Sequence, residues 1–109
     1  MRYFNFFIDI ILQVGLTNLD VSKNTILTEF FCYENQLTSL DMSKNPALLF
    51  LNCGDNQLTS LALNAFFKTL HGNEWKKDMY IYINGNPGAK DCDKSIAEAK
   101  GWTVVVEEW

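Results

Sequence analysis

The chain has 109 residues, the size of a single domain, and 48% of them are hydrophobic, so the composition excludes an intrinsically disordered protein. Its formal net charge of -4 argues against nucleic acid and anionic membrane surfaces as partners. Three cysteines without dense spacing argue against a disulfide framework. We therefore expect one folded domain over residues 1–109.

The chain opens with an apolar segment, residues 3–15, that either a signal peptide or a folded strand could explain. Asn5 and Asp9 interrupt it and no small-residue cleavage site follows, so we favour the folded interpretation. The segment is also too short and too polar to span a membrane. Residues 3–12 keep part of the repeat pattern described next and are predicted to form a degenerate first strand. Its uncovered edge favours a partner chain, so we expect a homodimer through residues 3–12 as one outcome.

A 21-residue phrase recurs across residues 16–63. Residues 37–45 read LTSLDMSKN, and 21 residues earlier residues 16–24 read LTNLDVSKN. Between them, residues 27–36 and 48–57 share a second pattern, with two apolar residues, a cysteine and an asparagine at fixed offsets. A fixed period of this length and composition is typical of leucine-rich repeats.

Each unit of such a repeat contains a short strand whose leucine and cysteine side chains point inward. Asn35 and Asn56 are predicted to turn inward as well, where their amides can bond to the backbone of the turn. Cys32 and Cys53 fall in one column, about 4.8 Å apart on neighbouring strands. Parallel Cβ vectors would strain a disulfide there, so we expect buried thiols, and the same for Cys92.

Residues 64–109 depart from the repeat. Apolar residues at helical spacing (Leu63, Phe66, Phe67 and Leu70) predict a helix, with Asn64 as its N-cap and Gly72 as its stop. Residues 79–87 read as a further strand, with Ile81, Ile83 and Asn86 spaced like Leu51, Cys53 and Asn56.

The last segment predicts a helix over residues 94–100, capped by Asp93 and ended by Gly101. A final strand over residues 102–108 would point Val104 and Val106 inward. The predicted fold class is therefore α/β: a short leucine-rich-repeat solenoid with a parallel β-sheet on its concave face. Its C-terminal cap would be a strand, a helix and a strand.

The repeats resemble the 21-residue leucine-rich repeats of bacterial surface proteins, notably the cysteine-ladder internalins and repeat proteins of Bacteroidetes. The resemblance rests on residues 16–24 and 37–45, on Cys32 and Cys53, and on the tail from Asn84 to Trp102. It implies a secreted or cell-surface protein with an adhesion role. The start of the chain does not fit a signal peptide, so the compartment stays open.

Catalytic and metal chemistry find little support in the sequence. The single histidine, His71, follows a short helix without a nucleophile and an orienting group nearby, and we interpret it as an exposed loop residue. The cysteines are too scattered for a metal site. We therefore expect no enzymatic activity, no cofactor and no metal.

The residues between the inward positions carry the functional prediction, because they face the concave surface and many are aromatic. Aromatic side chains are enriched in interface hot spots, and exposed apolar patches mark binding sites. The pattern places Phe50 beside Tyr80, and Phe31 beside Asn52 and Tyr82. The predicted binding residues are Phe31, Tyr33, Phe50, Tyr80 and Tyr82, together with Glu29 and Asn52. The last two would form a polar rim with Glu34, Asp55 and Asn84.

Two functions remain open at this point. In the first, the concave aromatic face binds a protein, or else a glycan. In the second, the chain is a structural remnant or cap of a solenoid that mainly associates with itself, through residues 3–12 or the aromatic face. The rings could also pack only against each other along the ladder, which would stabilise the sheet without a ligand.

Overall fold

The computed structural model of the chain describes residues 8–11, 14–73 and 78–107. These residues form a five-stranded sheet, with all strands parallel and arranged in chain order, and two short helices. The predicted α/β class is confirmed. The elements are β1 (Ile8–Ile10), β2 (Glu29–Phe31), β3 (Phe50–Asn52), α1 (Ser60–Thr69), β4 (Met79–Tyr82), α2 (Ser95–Glu98) and β5 (Trp102–Val105).

The sheet keeps the period of the sequence. Ile8 stands opposite Glu29 and Glu29 opposite Phe50, and both steps span 21 residues. β4 continues the same register after a longer connection, with Phe50 opposite Tyr80. The strands predicted within residues 3–12 and 79–87 are therefore confirmed by β1 and β4. Residues 3–7, 12 and 13 lie outside the described residues.

Asparagine side chains join the end of each strand to the strand before it. Asn56 donates from Nδ2 to the carbonyl oxygens of Cys53 and Cys32, both at 3.0 Å. Its Oδ1 accepts the N–H of Leu37 at 2.9 Å. Equivalent bonds join Asn35 to Ile11 and Leu16, and Asn86 to Cys53 and Leu58. We call Asn35, Asn56 and Asn86 the asparagine ladder, and it confirms the predicted inward turn of Asn35 and Asn56.

The hydrophobic core lies between the inner face of the sheet and the segments that return behind it. Side chains from the middle of β2, β3 and β4 meet the buried face of α1 there. Burying one large apolar side chain stabilises the fold by about 1.5–3 kcal/mol. The largest fully buried side chains include Phe30, Leu51 and Ile81 from the strands and Leu63, Phe66 and Phe67 from α1.

α1 begins earlier in the chain than predicted. Thr59 is its N-cap, and the Thr59 hydroxyl accepts the N–H of Ala62 at 3.2 Å. Asn64 lies inside the helix, where its Oδ1 accepts the N–H of Asp93 at 2.7 Å. The assignment of Asn64 as the cap was wrong because Thr59 supplies a suitable acceptor before the apolar run. The helix also ends before Gly72, at Thr69.

The last two elements are shorter than predicted. α2 spans four residues, and the Asp93 carboxylate accepts the Ser95 N–H at its start, at 3.1 Å. β5 ends at Val105. Val106 lies beyond the strand and is 40% exposed, so its predicted inward position was wrong. Val104 packs against the core opposite Ile81 of β4, so its predicted inward position is confirmed. Trp102 also faces the core, opposite Met79.

We expect Asn56→Ala to lower the free energy of unfolding by about 3 kcal/mol. The substitution leaves the buried N–H of Leu37 without an acceptor, which costs about 1–3 kcal/mol. It also removes one hydrogen bond from each of the carbonyls of Cys32, Cys53 and Gly54, which keep a second donor. Urea unfolding followed by circular dichroism measures the change. Gln57→Ala, at the exposed neighbouring position, is the matched control. Equal midpoints for the two variants would contradict the role of the asparagine ladder.

Candidate binding face

The outer face of the sheet presents two rows of side chains, which we call the aromatic face. Strand register aligns each row across β1 to β5. The first row is Ile8, Glu29, Phe50, Tyr80 and Thr103, and the second is Ile10, Phe31, Asn52, Tyr82 and Val105. The structure therefore places six of the seven predicted binding residues in these two rows. Phe50 stands beside Tyr80, and Phe31 stands in one row with Asn52 and Tyr82, as predicted. Tyr33 lies just beyond β2 and is half-buried.

The rings in the centre of the aromatic face touch one another. Phe50 packs against Phe31, with ring centroids 5.2 Å apart, and against Tyr82 at 5.5 Å. These separations and tilted planes are favourable for aromatic pairs. Mutual packing leaves all three rings half-buried, whereas Tyr80 is 37% exposed. The rings thus stabilise the sheet and also form its outer surface.

Asn52 was predicted to belong to a polar rim, and this was wrong. Only 3% of its surface is exposed, and its Oδ1 accepts the N–H of Gly54 at 3.0 Å. In register it stands between Phe31 and Tyr82, and both rings contact Phe50 on its own strand. Because its Oδ1 is bonded to the backbone after β3, the buried Asn52 supports that turn instead of forming a rim.

Two exposed isoleucines extend the aromatic face beyond the predicted residues. Ile8 is 51% exposed and Ile10 is 61% exposed, and both lie on β1. The 21-residue period could have found them, because they precede Glu29 and Phe31 by one repeat. With them, seven of the ten positions in the two rows are apolar or aromatic.

Acidic side chains lie in and beside this apolar surface. Glu29 is half-buried within the first row, between Ile8 and Phe50. Glu34 and Asp55 are exposed in the turns after β2 and β3, where both have left-handed backbone conformations with φ of 58° and 53°. Their N–H groups donate to the next turn, at 3.0 Å and 2.8 Å, which fixes both turns.

All three cysteines are buried free thiols. Burial raises the pKa of the Cys53 thiol to about 12. Burial, together with the neighbouring Cys53, also raises the pKa of Cys32 well above its usual value. Both thiols face the core, on the opposite side of the sheet from the aromatic face. The expectation of a reduced cysteine ladder is confirmed, and its thiols belong to the core.

His71 is not the exposed loop residue that the sequence predicted. It is half-buried, and its Nε2 lies 2.6 Å from the carbonyl oxygen of Leu48. Its ring packs edge-on against Trp102, with centroids 5.3 Å apart, and its carbonyl accepts the indole N–H. His71 therefore connects the end of α1 to the core and to β5.

The described residues offer no cluster of three or more His, Cys, Asp or Glu side chains that could hold a metal ion. A cleft of about 620 Å³ lies between the turns that carry Asn56 and Asn86, and it extends to Lys90 and Val106. None of the predicted binding residues lines this cleft. The aromatic face is therefore a separate surface.

No family model, curated protein or solved structure matches the chain. Within the described residues, neither helix has the length and apolar character that crossing a membrane requires.

Thiol reactivity tests the placement of the cysteines. We expect Cys92 to react first with a thiol-specific disulfide reagent at about pH 8, because its pKa is raised less than that of the other two thiols. In a Cys92→Ser variant, Cys32 and Cys53 should react only after denaturant unfolds the chain. Absorbance of the released reagent measures both rates. Reaction of the folded variant at the rate of a free thiol would contradict a buried ladder.

Proposed function

We propose that the chain is a short leucine-rich-repeat solenoid related to the repeat proteins of bacterial surfaces. The 21-residue register of β1, β2 and β3 supports this, as does the asparagine ladder that repeats with it. In this proposal, residues 3–15 are the degenerate first unit, residues 16–63 the repeats and residues 64–109 the C-terminal cap. The aromatic face is then the concave surface.

We further propose that the protein is a non-enzymatic binding module of adhesin type, located outside the cell or at its surface, whose aromatic face recognises another protein. The observation that carries this is the apolar character of seven of the ten outward positions in a parallel sheet. Surfaces with such patches mark interaction sites. Ile8 and Ile10 favour a protein over a glycan, because aliphatic side chains offer no hydrogen bonds to sugar hydroxyls.

Self-association is a second candidate function, and two observations at the β1 end favour it. β1 is the first strand of the sheet among the described residues, and its isoleucines are exposed. The Nδ2 of Asn45 donates to the carbonyls of Val21 and Asn24, whereas the buried Nδ2 of Asn24, one repeat earlier, has no acceptor within the described part of the chain. A further layer of polypeptide at this end would supply the missing acceptors.

Tyr80→Ala tests recognition by the aromatic face. Tyr80 is exposed, so its removal should leave the fold intact and raise the Kd of any protein ligand at least about tenfold. Protein and glycan arrays probed with the labelled chain supply the ligands, and titration calorimetry measures the Kd. Leu61→Ala, at an exposed position of α1, is the matched control. Unchanged binding by the Tyr80 variant would overturn the proposal.

Light scattering at several concentrations tests self-association through β1. If this second function holds, the chain forms a dimer and Ile10→Lys returns it to a monomer, because a charge then enters the apolar contact. Leu61→Lys introduces the same charge on α1 and should leave the dimer unchanged. A monomer at all concentrations would refute self-association and leave the aromatic face free for another protein.

A further inference from the structure

One charged residue interrupts the apolar surface of the aromatic face. Of the ten described outward positions, Glu29 alone is charged, and it is half-buried between Ile8 and Phe50 in the register. No hydrogen bond or ion pair joins its carboxylate to another described residue. Water therefore solvates this carboxylate as long as the face is uncovered.

Covering the face removes that water. Burying an ionised carboxylate is unfavourable unless a cation or hydrogen-bond donors replace the lost solvation. A purely apolar partner would leave the charge of Glu29 uncompensated. A second copy, placed face to face, would bring two Glu29 carboxylates into one apolar contact, which like-charge repulsion disfavours. The partner must therefore place a cation or hydrogen-bond donors opposite Glu29.

The border of the aromatic face is negatively charged, like Glu29. Glu34 and Asp55 follow β2 and β3 at equivalent positions, both exposed and both fixed by bonds to the next turn. Adjacent parallel strands lie about 4.8 Å apart, so the two carboxylates belong to one negative edge beside the rings. A negative border on a chain of net charge -4 attracts a basic partner and orients it before contact.

We propose that the partner of the aromatic face is a basic amphipathic segment of another protein. Its apolar side chains cover the rings and isoleucines, a Lys or Arg pairs with Glu29, and further basic side chains lie along Glu34 and Asp55. The five strands span about 19 Å, which a helix of about 13 residues matches. This inference rests on the proposed function and adds the chemistry of the partner.

Two synthetic amphipathic peptides of that length test the proposal, one built from Leu and Lys and the other from Leu and Glu. We expect fluorescence anisotropy to show binding of the Leu/Lys peptide, weakened by salt, and no binding of the Leu/Glu peptide. Glu29→Gln should raise the Kd of the Leu/Lys peptide about tenfold or more. Glu29→Lys should shift the binding preference towards the Leu/Glu peptide. Glu98→Gln changes the net charge equally at an exposed site of α2 and should have no effect.

The outcomes separate this proposal from the function on which it rests. The proposal of a basic partner would be overturned if Glu29→Gln and Glu98→Gln weakened binding of the Leu/Lys peptide equally, or if both peptides bound equally well. If Tyr80→Ala weakens the binding of a protein ligand from the arrays while Glu29→Gln does not, the aromatic face is a binding site but Glu29 does not pair with a basic partner. If a glycan ligand binds independently of Glu29, the basic partner is likewise overturned. Matching urea midpoints for the Glu29 variants confirm that each comparison uses folded protein.

Discussion

The asparagine ladder is the constraint on which the rest of the structure depends. β1, β2 and β3 have only three residues each, so their own backbone bonds would define a weak register. Asn56 adds bonds to its own strand end and to the preceding unit, and its neighbours in the ladder do the same. Buried amides with all these partners permit one register, because a shift would leave several polar groups unsatisfied. The alignment of the outward side chains follows from that register.

The same turns position the charges around the aromatic face. Glu34, Asp55 and Gly85 occupy the left-handed region, with φ of 58°, 53° and 75°. A non-glycine residue is strained there, so the two acidic residues need their bonds to the next turn to remain in place. At Gly85 an added Cβ would displace the Asp55 carboxylate, which lies against this turn. The residues that form these turns are therefore also the residues that make the border of the aromatic face negative.

The C-terminal part closes the core with different contacts. α1 replaces the extended segment of the earlier units and buries Phe66 and Phe67 behind the sheet. Gly88 permits the chain to pass directly over the start of α1, since a Cβ there would collide with the backbone of Ser60. Trp102 then joins β5 to the loop after α1 through its bond to the His71 carbonyl. These contacts hold β4 and β5 in place after the repeating part of the sheet.

The sequence by itself determined the strands, their register, the inward asparagines and the columns of the aromatic face. The 21-residue period fixes which residues become neighbours on β1, β2 and β3. β4 follows a longer connection, and its alignment follows from Ile81, Ile83 and Asn86, whose spacing repeats that of the residues in and after β3. Tertiary structure decided the burial of Asn52 and the contacts of His71. Those depend on groups that approach from elsewhere in the chain, which are the neighbouring strands at Asn52, and Leu48 and Trp102 at His71. No local pattern encodes such non-repeating contacts, because they arise only when folding brings distant segments together.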